Sequence, residues 1–296
     1  MDGRAVFKTK ELLDSLNKKY PDHIELVEKL DVSKRKINVT HEQAPIKEIV
    51  MSVPTYLDWD ADNPICEGEK NNYLNKPDRL LAVQQHGEFI RLMLSCGIKV
   101  IVLKPSKKRL EGVYTRDIGF VIGSSFFHAN LSQPARFAEE MTVVGGIKPP
   151  SSVKIEGGNV ILDKDFVFLG LGSRTNQNAA YWLQEAIGTE REVISLRLKK
   201  HILHLDCAFL PMQKQGIKEG FAIIDAKAFS NSKDFAVLFK IYKNLMQASA
   251  ADVSALGMNI ICTGKNRFFA SAQAGGAIQK LSNLVCGLSS PLFEWG

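Results

Sequence analysis

A recurring order of hairpin, helix and strand constrains this chain more than any single motif. Alternating apolar residues around turn-formers mark four hairpins: residues 119–122 with 124–130, 160–162 with 166–169, 208–211 with 221–224, and 259–262 with 267–270. Helical spacing follows the first three, over residues 136–140, 178–187 and 234–243, and a strand-like run at 192–196 follows the second helix. The copies share a pattern and almost no identity. A hairpin cannot bury its apolar face alone, so several such units in one chain predict a closed ring of α/β modules. Strand ends and loops would then converge on a central pocket. Upstream, residues 48–54 read as a strand and 80–96 as a helix closed by Gly97. Residues 99–103, KVIVL, read as a buried strand.

Residues 1–45 differ from this rhythm. Residues 8–20 place Leu12, Leu13 and Leu16 on one helical face, and a charged, glycine-free stretch follows. The expected organisation is therefore an N-terminal extension, 1–45, packed loosely on a main α/β domain, 46–296, or standing apart as a partner-binding arm.

Composition narrows the class of protein. At 45% hydrophobic and 24% charged, 296 residues can bury a sizeable core. No apolar run reaches the ~18 residues that span a bilayer, so no membrane partner is expected. The first ten residues lack the apolar stretch of a secretory signal. Cys66, Cys96, Cys207, Cys262 and Cys286 are odd in number and form no CxxC pair. That favours a reduced, cytoplasmic setting over a disulfide framework or zinc site. Lys and Arg exceed Asp and Glu by 38 to 32. The excess is scattered and is not interleaved with aromatics, so nucleic acid is not an expected partner.

Four short motifs can carry chemistry. Asp117, in Tyr114-Thr115-Arg116-Asp117-Ile118-Gly119, lies at the mouth of a strand, where a carboxylate can hold a cation. Taken alone, a turn with an Arg–Asp surface pair is the plain reading. Glu156 precedes Gly157-Gly158-Asn159, where two glycines allow close backbone approach; a solvated loop is the plain alternative. Arg174 lies in Gly170-Leu171-Gly172-Ser173-Arg174-Thr175-Asn176, between a strand and a helix, and can bind a carboxylate with two hydrogen bonds. Thr175 or Asn176 can also simply cap that helix. His204 stands in Leu203-His204-Leu205-Asp206-Cys207, where a satisfied core histidine is the plain reading. Neither His201 nor His204 has metal-ligand spacing to another residue, so no metal or other cofactor is expected.

In this order and spacing the four motifs resemble the pentein superfamily of guanidino-modifying enzymes, the dimethylarginine hydrolases, arginine deiminases and amidinotransferases. Pro54-Thr55-Tyr56-Leu57-Asp58 followed by Asn63-Pro64 is similar to that family's opening strand and loop. The resemblance implies a propeller of ββαβ modules around a central pocket and a small guanidino substrate. It gives Asp117 the role of gripping the guanidinium and Glu156 that of the carboxylate beside the reacting carbon. Arg174 would receive the substrate carboxylate, and His204 would be the general acid and base. The implied reaction is hydrolysis of a C–N bond in a linear amidine, such as arginine or methylated arginine, through a covalent thiouronium. The alternatives are an amidinotransferase, or an impaired pentein that binds a guanidino ligand.

The sequence departs from the family at its end. Where the family places its cysteine after a Gly-Gly pair, Gly275-Gly276-Ala277-Ile278-Gln279-Lys280 puts a lysine. An ammonium near carboxylates keeps its charge and mimics the substrate's cation, so Lys280 reads as a substrate-site residue. Cys286, six residues on, is the candidate nucleophile. Cys207 and Cys262 read as small core residues. About a dozen residues separate Cys262 from Gly275, so the last module is expected to lack a helix and a strand. Exposed core and free edges would then favour a homodimer.

Overall fold

The computed structural model describes residues 3–58, 77–212, 220–254, 257–264, 267–271 and 293–295, and the chain divides into two units. The first holds residues 1–37 and 46–149, the second residues 38–45 and 150–296.

The first unit opens with helix α1 (Gly3–Lys19), strands β1 (Ile24–Val27), β2 (Leu30–Asp31) and β3 (Glu48–Met51), helix α2 (Arg79–Ser95) and strand β4 (Lys99–Leu103). β1 and β3 both pair in parallel with β4, which sits between them. A central parallel strand is covered on both faces, and that is why KVIVL is apolar without alternation. Asp78 caps α2, its carboxylate accepting from Leu80 and Leu81 N–H at 3.0 Å each. Gly97, at φ +76°, turns the chain out of the helix. α1 buries Ala5, Thr9, Leu12 and Leu16, one stripe at helical spacing. It can approach α2 closely because residue 87 is glycine: a Cβ there would lie 2.9 Å from Leu12 Cδ1.

Residues 1–45 are therefore not a loose extension. α1 and β1 belong to the first unit, and residues 38–45 belong to the second. There Glu42 N–H donates to Leu162 O at 2.9 Å. Part of the charge in this segment is paired. Arg35 and Lys99 both contact the Glu25 carboxylate of β1, with Nη1 and Nζ each 2.9 Å from Oε2.

The unit continues with β5 (Gly119–Ile122), β6 (Ser125–His128), α3 (Phe137–Glu140) and β7 (Val143–Val144). β5 and β6 form the expected hairpin through Gly123 at φ +57°. Ile147 then bridges Phe127 in parallel, giving the sheet the start of a third strand.

The second unit repeats that plan with complete sheets. β8 (Val160–Asp163) and β9 (Phe166–Leu171) form a hairpin, α4 (Gln177–Ile187) crosses over, and β10 (Glu192–Arg197) joins β9 in parallel. β11 (Phe209–Met212), β12 (Phe221–Ile224), the short helices α5 (Ser232–Ala236) and α6 (Leu238–Ile241), and β13 (Asn244–Gln247) repeat it. The single helix expected over 234–243 is thus two, meeting at Val237, and Tyr242 leaves the helix in extended backbone. β11 and β12 are buried on both faces. Phe209, Ala222 and Ile224 enter one core with Phe168, Leu238 and Tyr242, whereas Leu210, Met212, Phe221 and Ile223 enter another with Met258 and Cys262.

After α7 (Ala250–Ser254), the hairpin of β14 (Ile261–Gly264) and β15 (Arg267–Ser271) is joined in parallel by β16 (Phe293–Trp295). The last module therefore has its third strand, in the tail where none was expected. Three residues are too short for any periodicity to signal a strand. Among the described residues no helix is long and apolar enough to cross a membrane. Cys96, Cys207 and Cys262 are free thiols.

The Glu25 network generates a pH prediction. Hydrogen bonds from Arg35 and then Lys99 hold the Glu25 carboxyl down to about 2. In the unfolded chain it returns to roughly 4.3. Its stabilisation is fully present above that value and is lost as pH falls toward about 2. Thermal melts of Glu25→Gln should lie below wild type at pH 7 and converge on it in this acid window. Parallel curves from pH 7 to pH 2 would contradict the pairing.

Candidate active site

The second unit gathers three of the expected site residues onto two loops and a turn. Glu156 sits in extended backbone just before a 3-10 turn, Gly157–Asn159, that leads into β8. Arg174 lies between β9 and α4. His204 is extended and precedes the 3-10 turn Leu205–Cys207 after β10. The hairpin and its crossover fix where these loops end, so residues 48 apart in sequence meet.

Glu156 is fully buried, at 0% exposure. A carboxylate in that position needs charged or hydrogen-bonding partners on both oxygens. Oε2 lies 2.8 Å from His204 Nε2, and Oε1 lies 3.5 Å from Arg174 Nη1. The first is a hydrogen bond. The second is an ion pair too long for one, which leaves Arg174 Nη1 buried without a hydrogen-bond partner. An ionised Glu156 can only accept a hydrogen bond, so beside it Nε2 carries a proton and donates. The Glu156 N–H donates to Thr175 Oγ1 at 3.3 Å.

The two glycines of the EGG motif differ in use. A Cβ on Gly158 would lie 2.7 Å from His204 Nδ1, 2.8 Å from its Cγ and 3.1 Å from Asp206 Oδ2. Only glycine lets this backbone pass the imidazole. The helix-capping alternative for the third motif does not hold. Asn176 occupies the cap position, but its side chain accepts from Lys154 N–H at 3.2 Å and donates to Ser152 O at 2.9 Å. Thr175 faces Glu156. Cys207 is the last residue of the 3-10 turn and is half-buried rather than core, with Sγ 3.6 Å from Asp206 Oδ1. Cys262 is core, as expected.

Asp117 belongs to the first unit, where the turn before β5 is closed by Asp117 N–H donating to Tyr114 O at 3.1 Å. It is buried rather than at the surface. Arg136 Nη1 donates to Asp117 Oδ2 at 2.7 Å, and its Nη2 donates to Glu139 Oε2 at the same distance. Glu111 Oε2 lies 3.6 Å from Arg136 Nε, and the guanidinium lies over the Tyr114 ring at 5.8 Å. Burial alone would lower the Arg136 pKa, but Asp117 and Glu139 outweigh it and hold it above the ordinary value. Burial raises Glu139. Sequence reading missed Arg136, which looks like an ordinary helix-start residue. Its one signal is Glu139 three positions on. Lys280 and Cys286 lie outside the described residues.

A family model described as N,N dimethylarginine dimethylhydrolase, eukaryotic, matches residues 62–281. The chain belongs to that family. Among curated relatives of this dimethylarginine hydrolase family member, the uncharacterized protein YkgA of Bacillus subtilis is 32% identical over 191 residues, 62% of this chain and 64% of YkgA. The N(G),N(G)-dimethylarginine dimethylaminohydrolase of Pseudomonas aeruginosa is 26% identical over 155 residues, 48% of this chain and 59% of that enzyme. The chain thus spans about three fifths of the curated relatives it matches. The N-terminal domain of ArgZ, an arginine dihydrolase from the ornithine-ammonia cycle in cyanobacteria, was solved with bound substrate. It superposes with a TM-score of 0.70 at 20% identity, covering 84% of this chain and 90% of that one. The small mixed sheets described above are those of the pentein fold.

Gly158→Ala tests the packing. The added methyl displaces the imidazole or the turn, at about 1–3 kcal/mol. Thermal melting should fall accordingly. A variant as stable as wild type would mean that the imidazole does not pack on residue 158.

Proposed function

We propose that this family member hydrolyses a C–N bond of a guanidino compound, arginine or a methylated arginine, through a covalent thiouronium. One observation carries the reading: a fully buried carboxylate, Glu156, hydrogen-bonded to His204 at 2.8 Å in a chain of this family. A guanidinium carbon is a weak electrophile because its charge is spread over three nitrogens. A carboxylate beside it holds the cation planar and oriented. A cysteine thiol passes its proton to His204 and the resulting thiolate adds to the carbon; the C–N bond to the leaving amine then breaks as His204 gives that nitrogen the proton. Water next loses a proton to His204 and displaces the thiolate. The products are a ureido compound and an amine or ammonia.

Asp117 keeps the role of gripping the guanidinium, and Arg174 that of receiving the substrate carboxylate. The unsatisfied Nη1 of Arg174 supports the second assignment. Cys286 is the proposed nucleophile. The free thiols suit a reducing, cytoplasmic setting. A second reading, a pentein that binds a guanidino ligand without turning it over, is favoured by Lys280 at the position where the family has its cysteine.

The test is ureido product formed from L-arginine and from asymmetric and monomethyl arginine. Wild type should turn over at least one of them, with Glu156→Gln and His204→Ala each lowering kcat by about 10²–10⁴. Activity that survives both substitutions would remove the pair from the mechanism. Ligand binding with no product would favour the second reading.

A further inference from the structure

Glu156 and His204 sit on separate loops, and their 2.8 Å contact needs something to hold the loops in register. We propose that Asn159 is the positioning residue for this pair, an inference that rests on the hydrolase reading above. Asn159 is 1% exposed. Its Oδ1 accepts the N–H of Leu205 at 3.0 Å, the peptide directly after His204. Its Nδ2 donates to Thr175 Oγ1 at 3.0 Å, and that same oxygen accepts the Glu156 N–H. Its own N–H donates to Glu156 O at 3.0 Å and closes the turn that carries the carboxylate. One amide therefore joins the Glu156 turn, the loop of Arg174 and Thr175, and the His204 turn.

The surroundings are shaped to admit it. A Cβ on Gly170 would lie 2.5 Å from Asn159 Oδ1 and 2.8 Å from Leu205 Cβ. Glycine at 170 is what lets β9 pass the amide and the turn behind it. A carboxamide suits the site because it offers a donor and an acceptor at once. Alanine offers neither. Aspartate keeps the acceptor for Leu205 and can accept the Thr175 hydroxyl proton, so it restores the bridge with one bond reversed. A catalytic pair misplaced by a fraction of an ångström loses turnover before it loses substrate affinity.

The experiment combines steady-state kinetics on L-arginine with one-dimensional proton NMR and thermal melting. The NMR follows the downfield imidazole proton of the His204–Glu156 hydrogen bond, assigned by its absence in His204→Gln. Asn159→Ala should melt cooperatively, lose that signal and lower kcat about hundredfold, with KM within about threefold. Asn159→Asp should recover the signal and bring kcat to within about tenfold of wild type. If Asn159→Ala does not fold, the near-isosteric Thr175→Val decides: the signal should vanish from a folded protein. A melting temperature that falls while signal and kcat stay in place would reduce Asn159 to scaffold and overturn the proposal. So would a wild type without the signal. If wild type shows the signal but hydrolyses no guanidino compound, the hydrolase reading falls, and the NMR comparison alone decides the role of Asn159.

Discussion

A carboxylate with no exposure to water has to be neutralised by its neighbours, and Glu156 sets that requirement for the loops of the second unit. Leaving such a charge unpaired costs several kcal/mol. The hairpin β8–β9 delivers Glu156, the β9–α4 loop delivers Arg174, and the chain after β10 delivers His204. Each reaches a different part of the same carboxylate or its backbone. Glycines at 158 and 170 are the steric consequence, since both stand where a side chain would strike the imidazole or the turn behind it. Stability and chemistry share this arrangement. The groups that make the burial of Glu156 tolerable are also the proposed general acid and base, His204, and an under-bonded guanidinium, Arg174.

The first unit meets a related demand in reverse. There one arginine, Arg136, is surrounded by the carboxylates of Asp117, Glu139 and Glu111 and by the Tyr114 ring. Asp117 is thereby held by a buried guanidinium, which would orient it for the cation-gripping role proposed for it. A planar fork with five donors holds two carboxylates in fixed directions, which the rotating ammonium of a lysine does not.

Most of the fold was legible because hairpins announce themselves by alternation and turn residues. The β5–β6, β8–β9 and β11–β12 pairs were read within a residue or two, as were β4 and α2. Short parallel strands were not. Ile24–Val27 looked like part of a charged arm because its ion pairs are long-range. Phe293–Trp295 is three residues in a tail without a motif, so the third strand of the last module went unread. The site was legible in part. The order of RD, EGG, SRTN and HLD singled out Asp117, Glu156, Arg174 and His204, and the structure pairs the last three. What those motifs could not reveal was the supporting polar set. Asn159, Thr175 and Arg136 matter through partners 16 to 46 residues away, and local pattern carries no sign of that. Asn176 and Thr175 both looked like helix caps because capping residues and loop-bridging residues are chemically the same.

The central claim is that the Glu156–His204 pair serves thiol chemistry on a guanidino group. Intact-mass analysis of folded protein after incubation with a chloroacetamidine tests it most directly, because that warhead leaves a stable adduct on a guanidino-processing cysteine. The account predicts one adduct, on a single cysteine, blocked by excess L-arginine or methylated arginine. No adduct, or several that arginine does not block, would contradict it and leave a pentein that binds without catalysing.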